Sequence, residues 1–198
     1  IADGIDLSYA QLGKLSIEHA AISDVRAVRA VIEGEFIAND IRPAEDDGYC
    51  FLSLYSARVD GDVQIRRATL RESPLRDAFG AEQFAVDLRN AEINGSVYLR
   101  NVDCIGTVHM GLANIDGNFT ARAARIEPRP DKAEALIADG AVITGAVSLR
   151  RPPGERPFEA LGQVSFIRAR AAALVFDGAI IRPKDPDGSA LNLESATV

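Results

Sequence analysis

Residues Val86–Ile126 decide the fold when they are written in lines of eleven: VDLRNAEINGS, VYLRNVDCIGT, VHMGLANIDGN, FTARAARI. Val86, Val97, Val108 and Phe119 begin the lines, and Leu88, Leu99, Met110 and Ala121 follow two residues later. Ala91, Val102, Ala113 and Ala124 form a third column, and Ile93, Cys104, Ile115 and Ile126 a fourth. Gly95, Gly106 and Gly117 close the first three lines. Within each line apolar and polar residues alternate, the period of a strand with one buried face; a helix would need spacings of three and four. The alternation breaks at Arg89-Asn90 and at each glycine, so each line reads as two short strands and two corners. Short strands at a fixed period predict a β-solenoid, whose coils bury their inner faces only by stacking.

The same line runs outward in both directions. Its starts are Ile5, Leu15, Val25, Phe36, Leu52, Val63, the four above, then Leu136, Val147, Val164, Leu174 and Leu191. None of the four inward positions in these lines carries a charge, although 26% of the chain is charged. Unpaired charge is costly to bury, so this is the composition of an interior face. The line from Val147 fits least well, because its second half falls on Pro152 and Gly154.

The spacing between lines is uneven in an ordered way. Long steps follow even lines only, while Gly13, Gly34, Gly61, Gly95, Gly117 and Gly145 close odd lines. One coil is therefore two lines, about 22 residues, with a glycine corner of positive φ and a second corner that accepts insertions. About seven coils follow, a stack roughly 33 Å tall at ~4.8 Å per strand. All nine prolines fall at the insertion corner, as expected if the lines are strands, since proline cannot donate to a ladder. The whole chain, residues 1–198, reads as one all-β domain, a parallel β-helix. Neither Ile5 nor Val198 is preceded or followed by a polar cap, which predicts continuation into a longer chain or end-to-end self-association.

One stretch resembles a known repeat. Ala135–Arg150, ALIADGAVITGAVSLR, is similar to the A-L-x-A-D-G-A-x-I-x-G-x-V-x-L-R repeat of uncharacterised bacterial β-solenoid proteins, with Ala190–Val198 resembling its start and Ala85–Ile126 a fuller copy. Some of those proteins carry the name membrane-associated oxidoreductase; no cofactor motif or membrane segment accompanies the repeat here. More distantly the chain resembles pentapeptide-repeat proteins, which implies a right-handed, four-sided β-helix.

Chemistry-bearing motifs are sparse. Cys104 takes an inward position, and Cys50 ends an insertion; the two read as distant in the stack, which argues against a disulfide. His19 and His109 fall on outward positions about four coils apart and read as solvated. There is no G-x-S-x-G, no CxxC and no glycine-rich phosphate loop, and no cofactor is expected. No apolar run approaches 18 residues and no secretory signal is present, so a membrane span is not expected and a soluble, cytoplasmic protein is favoured. A net charge of −7 argues against direct nucleic-acid binding.

The leading expectation is a non-enzymatic solenoid that scaffolds or binds a partner protein. The alternatives are a carbohydrate-active β-helix lyase or hydrolase, with charges arrayed on an outer face, and a DNA mimic that binds a topoisomerase. Five insertions are expected to project from one edge: Arg42 to Cys50, Arg71 to Ala85, Glu127 to Ala135, Arg150 to Gln163 and Arg182 to Ala190. The second could hold a short helix around Leu75–Phe79. The expected partner contacts are Arg42, Arg71, Phe79, Arg150, Phe158 and Arg182, because Arg and aromatic residues are enriched at interface hot spots.

Overall fold

A computed structural model describes residues 4–74 and 83–198. Phe79 and the short helix expected around residues 75–79 lie outside the described residues. The described part is all-β, built from short parallel strands with no helix. It is a parallel β-helix with four faces, taken here in chain order within a coil.

The first face is an eight-stranded sheet and the fourth a five-stranded one. The second and third belong to one twelve-stranded sheet, because Val142–Arg150 runs through the corner between them and pairs on both. On the first face, Ile5, Val25, Leu52, Val86, Val108, Leu136, Val164 and Leu191 pair in that order. On the third, Leu15, Phe36, Val63, Val97, Phe119, Val147 and Leu174 do the same. These are the line starts, in the register that the periodicity requires. The four inward residues of one middle line, Val97, Leu99, Val102 and Cys104, are each at most 2% exposed. Each Val, Leu or Ile so covered contributes ~1.5–3 kcal/mol.

Three expectations need correction. First, the glycines that close odd lines do not sit at positive φ, whereas Gly106, which closes an even line, does. Apart from Gly106 and Gly154, the positive-φ residues stand four places after a line start, in every line but the one from Val147. Tyr9, Arg29, Ser56, Asn90, Leu112, Gly140, Arg168 and Ser195 form one such column, and His19, Asp40, Arg67, Asn101 and Ala123 another. What fixes the closing glycines is the coil beneath. A Cβ on Gly145 would lie 2.7 Å from the Gly117 carbonyl oxygen, and one on Gly117 2.8 Å from that of Gly95. Both glycine N–H groups donate to those same oxygens, so the coils meet there backbone to backbone.

Second, the fourth insertion leaves from a different corner. Glu159–Ala160 pairs with Arg125 and Ile126 on the fourth face, so Phe158 and Ala160, rather than Pro152 and Gly154, supply the inward residues. Residues 151–157 therefore bulge between the third and fourth faces. Proline explains the detour: Pro152 and Pro153 have no N–H to give the ladder, whereas Glu159 donates to Ala124 and Leu161 to Ile126. The other four insertions leave between the fourth and first faces. Third, Cys50 and Cys104 lie in neighbouring coils. Cys50 bridges Arg71, and the adjacent Leu70 pairs with Cys104. Both are free buried thiols, and burial pushes Cys50 up to about 12.

The glycine column gives the first prediction. Gly117→Ala should destabilise the fold by ~1–3 kcal/mol, because Gly95 is backbone that cannot move aside. Gly13→Ala, whose Cβ would meet nothing within 4 Å, should change stability by less than about 0.5 kcal/mol. Urea denaturation of both variants checks this; equal losses would show that stacking does not demand the glycines.

Candidate functional site

The expected contact residues do not form one edge. Arg42 is exposed at the start of the first insertion, and its backbone bridges Ala21. Arg71 is half-buried, with its guanidinium 3.9 Å from Asp47. Arg182 is exposed, 3.6 Å from Glu159. Arg150 stands on the third face, paired in register with Arg122, and not on the insertion edge. Phe158 is 0% exposed and fills the core, so it cannot touch a partner.

The structure instead brings the four insertions of the shared corner into a ridge tied by charges. Asp47 of the first faces Arg71 of the second. Glu72 of the second meets Lys132 of the third at 2.7 Å and Arg129 at 3.8 Å. Lys184 of the fifth donates to the backbone carbonyls of Arg129, at 2.6 Å, and Lys132. Glu72 is the centre of this ridge. Its side chain is 1% exposed, and its second oxygen accepts the Thr107 N–H at 3.1 Å. A buried carboxylate persists only where such partners replace its water.

Beside Glu72 a cleft of about 430 Å³ opens between Phe84, Thr107, His109, Lys132, Glu134 and Ile137. Phe84 is its organising group. The Arg89 guanidinium lies 4.6 Å from its ring centre, the Lys132 ammonium 4.4 Å, and the His109 ring meets it edge-on at 4.7 Å. Both cations face the negative π cloud. Arg89 is held in turn by two hydrogen bonds to Asp87, at 2.9 and 2.8 Å.

His109 departs from the solvated residue expected of an outward position. It points outward, but Phe84 lies over it. Nδ1 accepts the Gly111 N–H at 3.1 Å, which leaves the proton of the neutral ring on Nε2. Burial, reinforced by Arg89, lowers its pKa to about 4. His19 is exposed and lies 3.5 Å from Asp40. Among the described residues no group of three or more His, Cys, Asp or Glu side chains is placed to hold a metal ion, and no helix is long and apolar enough to cross a membrane.

Comparison with protein-family models, curated proteins and solved structures finds no match to this chain. The geometry of the ridge is therefore what bears on function. Glu72 and Lys132 were not singled out from the sequence, since an acid and a lysine in turns carry no periodic signal. The one hint was economy: the chain has three lysines, Lys14, Lys132 and Lys184, and two of them lie in insertions.

Two predictions follow from these contacts. Glu72→Ala should cost ~3 kcal/mol, because Lys132 loses the carboxylate 2.7 Å away inside the ridge. Lys132→Met in that background should recover part of the loss. A double-mutant cycle by chemical denaturation measures this, and strictly additive losses would show that the pair is uncoupled.

The His109 environment makes stability depend on pH. Its folded pKa lies below the unfolded value, so the unfolded chain binds the extra proton first as pH falls. The stabilisation is complete above about pH 6.5 and is lost as pH drops to about 4. Relative to His109→Gln, the wild type should lose melting temperature across that window. Parallel pH profiles would remove His109 as the cause.

Proposed function

We propose that this chain is a non-enzymatic solenoid that binds a partner protein along the insertion ridge. The observation that carries the reading is the stitching of four insertions by Asp47–Arg71, Glu72–Lys132 and Lys184–Arg129 contacts into one surface on a rigid stack. Loops on a fixed scaffold are where recognition residues commonly lie. Prolines at Pro43, Pro128, Pro130, Pro183 and Pro186 restrict those loops before binding and so lower the ordering cost. Arg42, Arg71 and Arg182 remain as contact candidates.

The test compares partner capture from the source cell by the wild-type chain, by an Arg71→Ala/Arg182→Ala variant, and by a chain with residues 184–188 replaced by a Gly-Ser turn. The expected result is one partner retained by the wild type and weakened at least about tenfold by the ridge changes. Glu92→Lys, on the second face, should retain it. A captured set unchanged by both ridge variants, with their melting curves intact, sinks the reading.

A further inference from the structure

The third face carries a feature on a different side from the ridge and independent of it. Its last outward column pairs Arg66 with Arg100, Arg100 with Arg122, and Arg122 with Arg150. Four arginines occupy consecutive rungs, about 4.8 Å apart, and span about 14 Å along the stack. Like charges directly opposite in a sheet are destabilising. The fourth face shows what the chain does elsewhere. There the equivalent column reads Asp103, Arg125, Glu159 in register, with Arg125 3.7 Å from Glu159 and Asp103 2.6 Å from Arg156.

Most of the arginine column lacks that compensation. Arg100 pairs with Glu155 at 2.9 Å. Arg66, Arg122 and Arg150 make no ion pair among the described residues. Nε of Arg122, in the middle of the column, is buried with no hydrogen-bond acceptor. A buried donor left in this way costs stability. In a chain of net charge −7, a basic stripe of this kind is local and directional.

The geometry points to this column as a binding site for a linear polyuronate, an acidic polysaccharide lying along the stack axis with its sheet-facing carboxylates on guanidinium groups of the column. Guanidinium binds carboxylate through two parallel N–H donors. A 1,4-linked pyranose advances by about one strand spacing, and in a two-fold chain every second carboxylate faces the sheet, so the carboxylates on that side meet alternate rungs. The neighbouring outward column is Gln64, Tyr98, Thr120 and Ser148. It supplies the Tyr98 ring and the Ser148 hydroxyl, both half-buried, the complement of a sugar's apolar face and hydroxyls; Thr120 is buried and the Gln64 amide donates to Glu35. An acidic peptide fits less well, because an extended strand sets same-face side chains about 6.7 Å apart. Single-stranded nucleic acid would call for an aromatic platform per base, and the face has one, Tyr98.

Fluorescence anisotropy of the full chain with a labelled hexagalacturonate tests the site. Binding should weaken as salt rises. Arg66→Gln, Arg122→Gln and Arg150→Gln should each lower affinity roughly tenfold. Arg125→Gln on the fourth face should leave it unchanged. Should Arg122→Gln fail to melt cooperatively, Arg150→Glu at the exposed end of the column provides the same reading. A neutral hexasaccharide bound equally well, or ladder variants that bind like wild type, would overturn the proposal. Tighter binding of octaglutamate or oligothymidylate would overturn it too, in favour of another class of polyanion.

Discussion

Each inward side chain is covered by its equivalent one coil away, because a single coil is too thin to bury its own interior. That one constraint sets the rest. It excludes charge from the inward columns, since a carboxylate there would face neutral neighbours above and below. It turns the closing glycines into a column, because the coils approach backbone to backbone and Gly117 has no room for a Cβ above Gly95. It also repeats any local strain. Once one coil turns its corner at positive φ four residues after a line start, its neighbours must turn there too to stay in register. That is why residues as unsuited as Leu112, Arg29 and Tyr9 adopt the left-handed conformation.

The strands were legible in the sequence because their signal is repeated and local. Every line start was placed by periodicity, and the pairing follows from it. The errors arose where a rule of spacing stood in for a physical cause. Counting eleven residues from Val147 lands on Pro152 and Gly154, whereas the chain makes a detour and resumes at Phe158. Phe158 was therefore taken for a surface anchor. Glycine at a corner suggested positive φ, while the operative reason was clearance. His109 was correctly placed outward, but its burial depends on Phe84, which reaches it from an insertion that no period describes. Glu72 was invisible for the same reason.

The arginine column shows a subtler limit. In lines of eleven, Arg66, Arg100, Arg122 and Arg150 share a position with Arg89 but also with Val28, Tyr55 and Gly111, so no stripe stands out. Only when two lines make one coil do alternate lines become neighbours, and then the four arginines stand on consecutive rungs of one column, which Asn39 and Glu18 continue beyond Arg66. The charge pattern becomes readable only after the topology is known.

A stacked coil has two places to put variation, and they suit different ligands. Outward columns inherit the repeat, so whatever they present recurs at one spacing; a repeating polymer is the natural complement to such a lattice. Corners escape the repeat, because an insertion lengthens one coil without disturbing the next. The four insertions here differ in length and composition, and buried pairs such as Glu72–Lys132 fix them against one another. Fixing them costs stability if either partner is lost, and a ridge of freely moving loops would avoid that cost. The chain keeps the pairs, and what they secure is one defined shape at the corner. An aperiodic, shaped surface complements an aperiodic partner, which a folded protein is and a polysaccharide is not. The two proposed sites therefore divide along the same line as the fold itself, with the repeat on the faces and the exceptions at the corner.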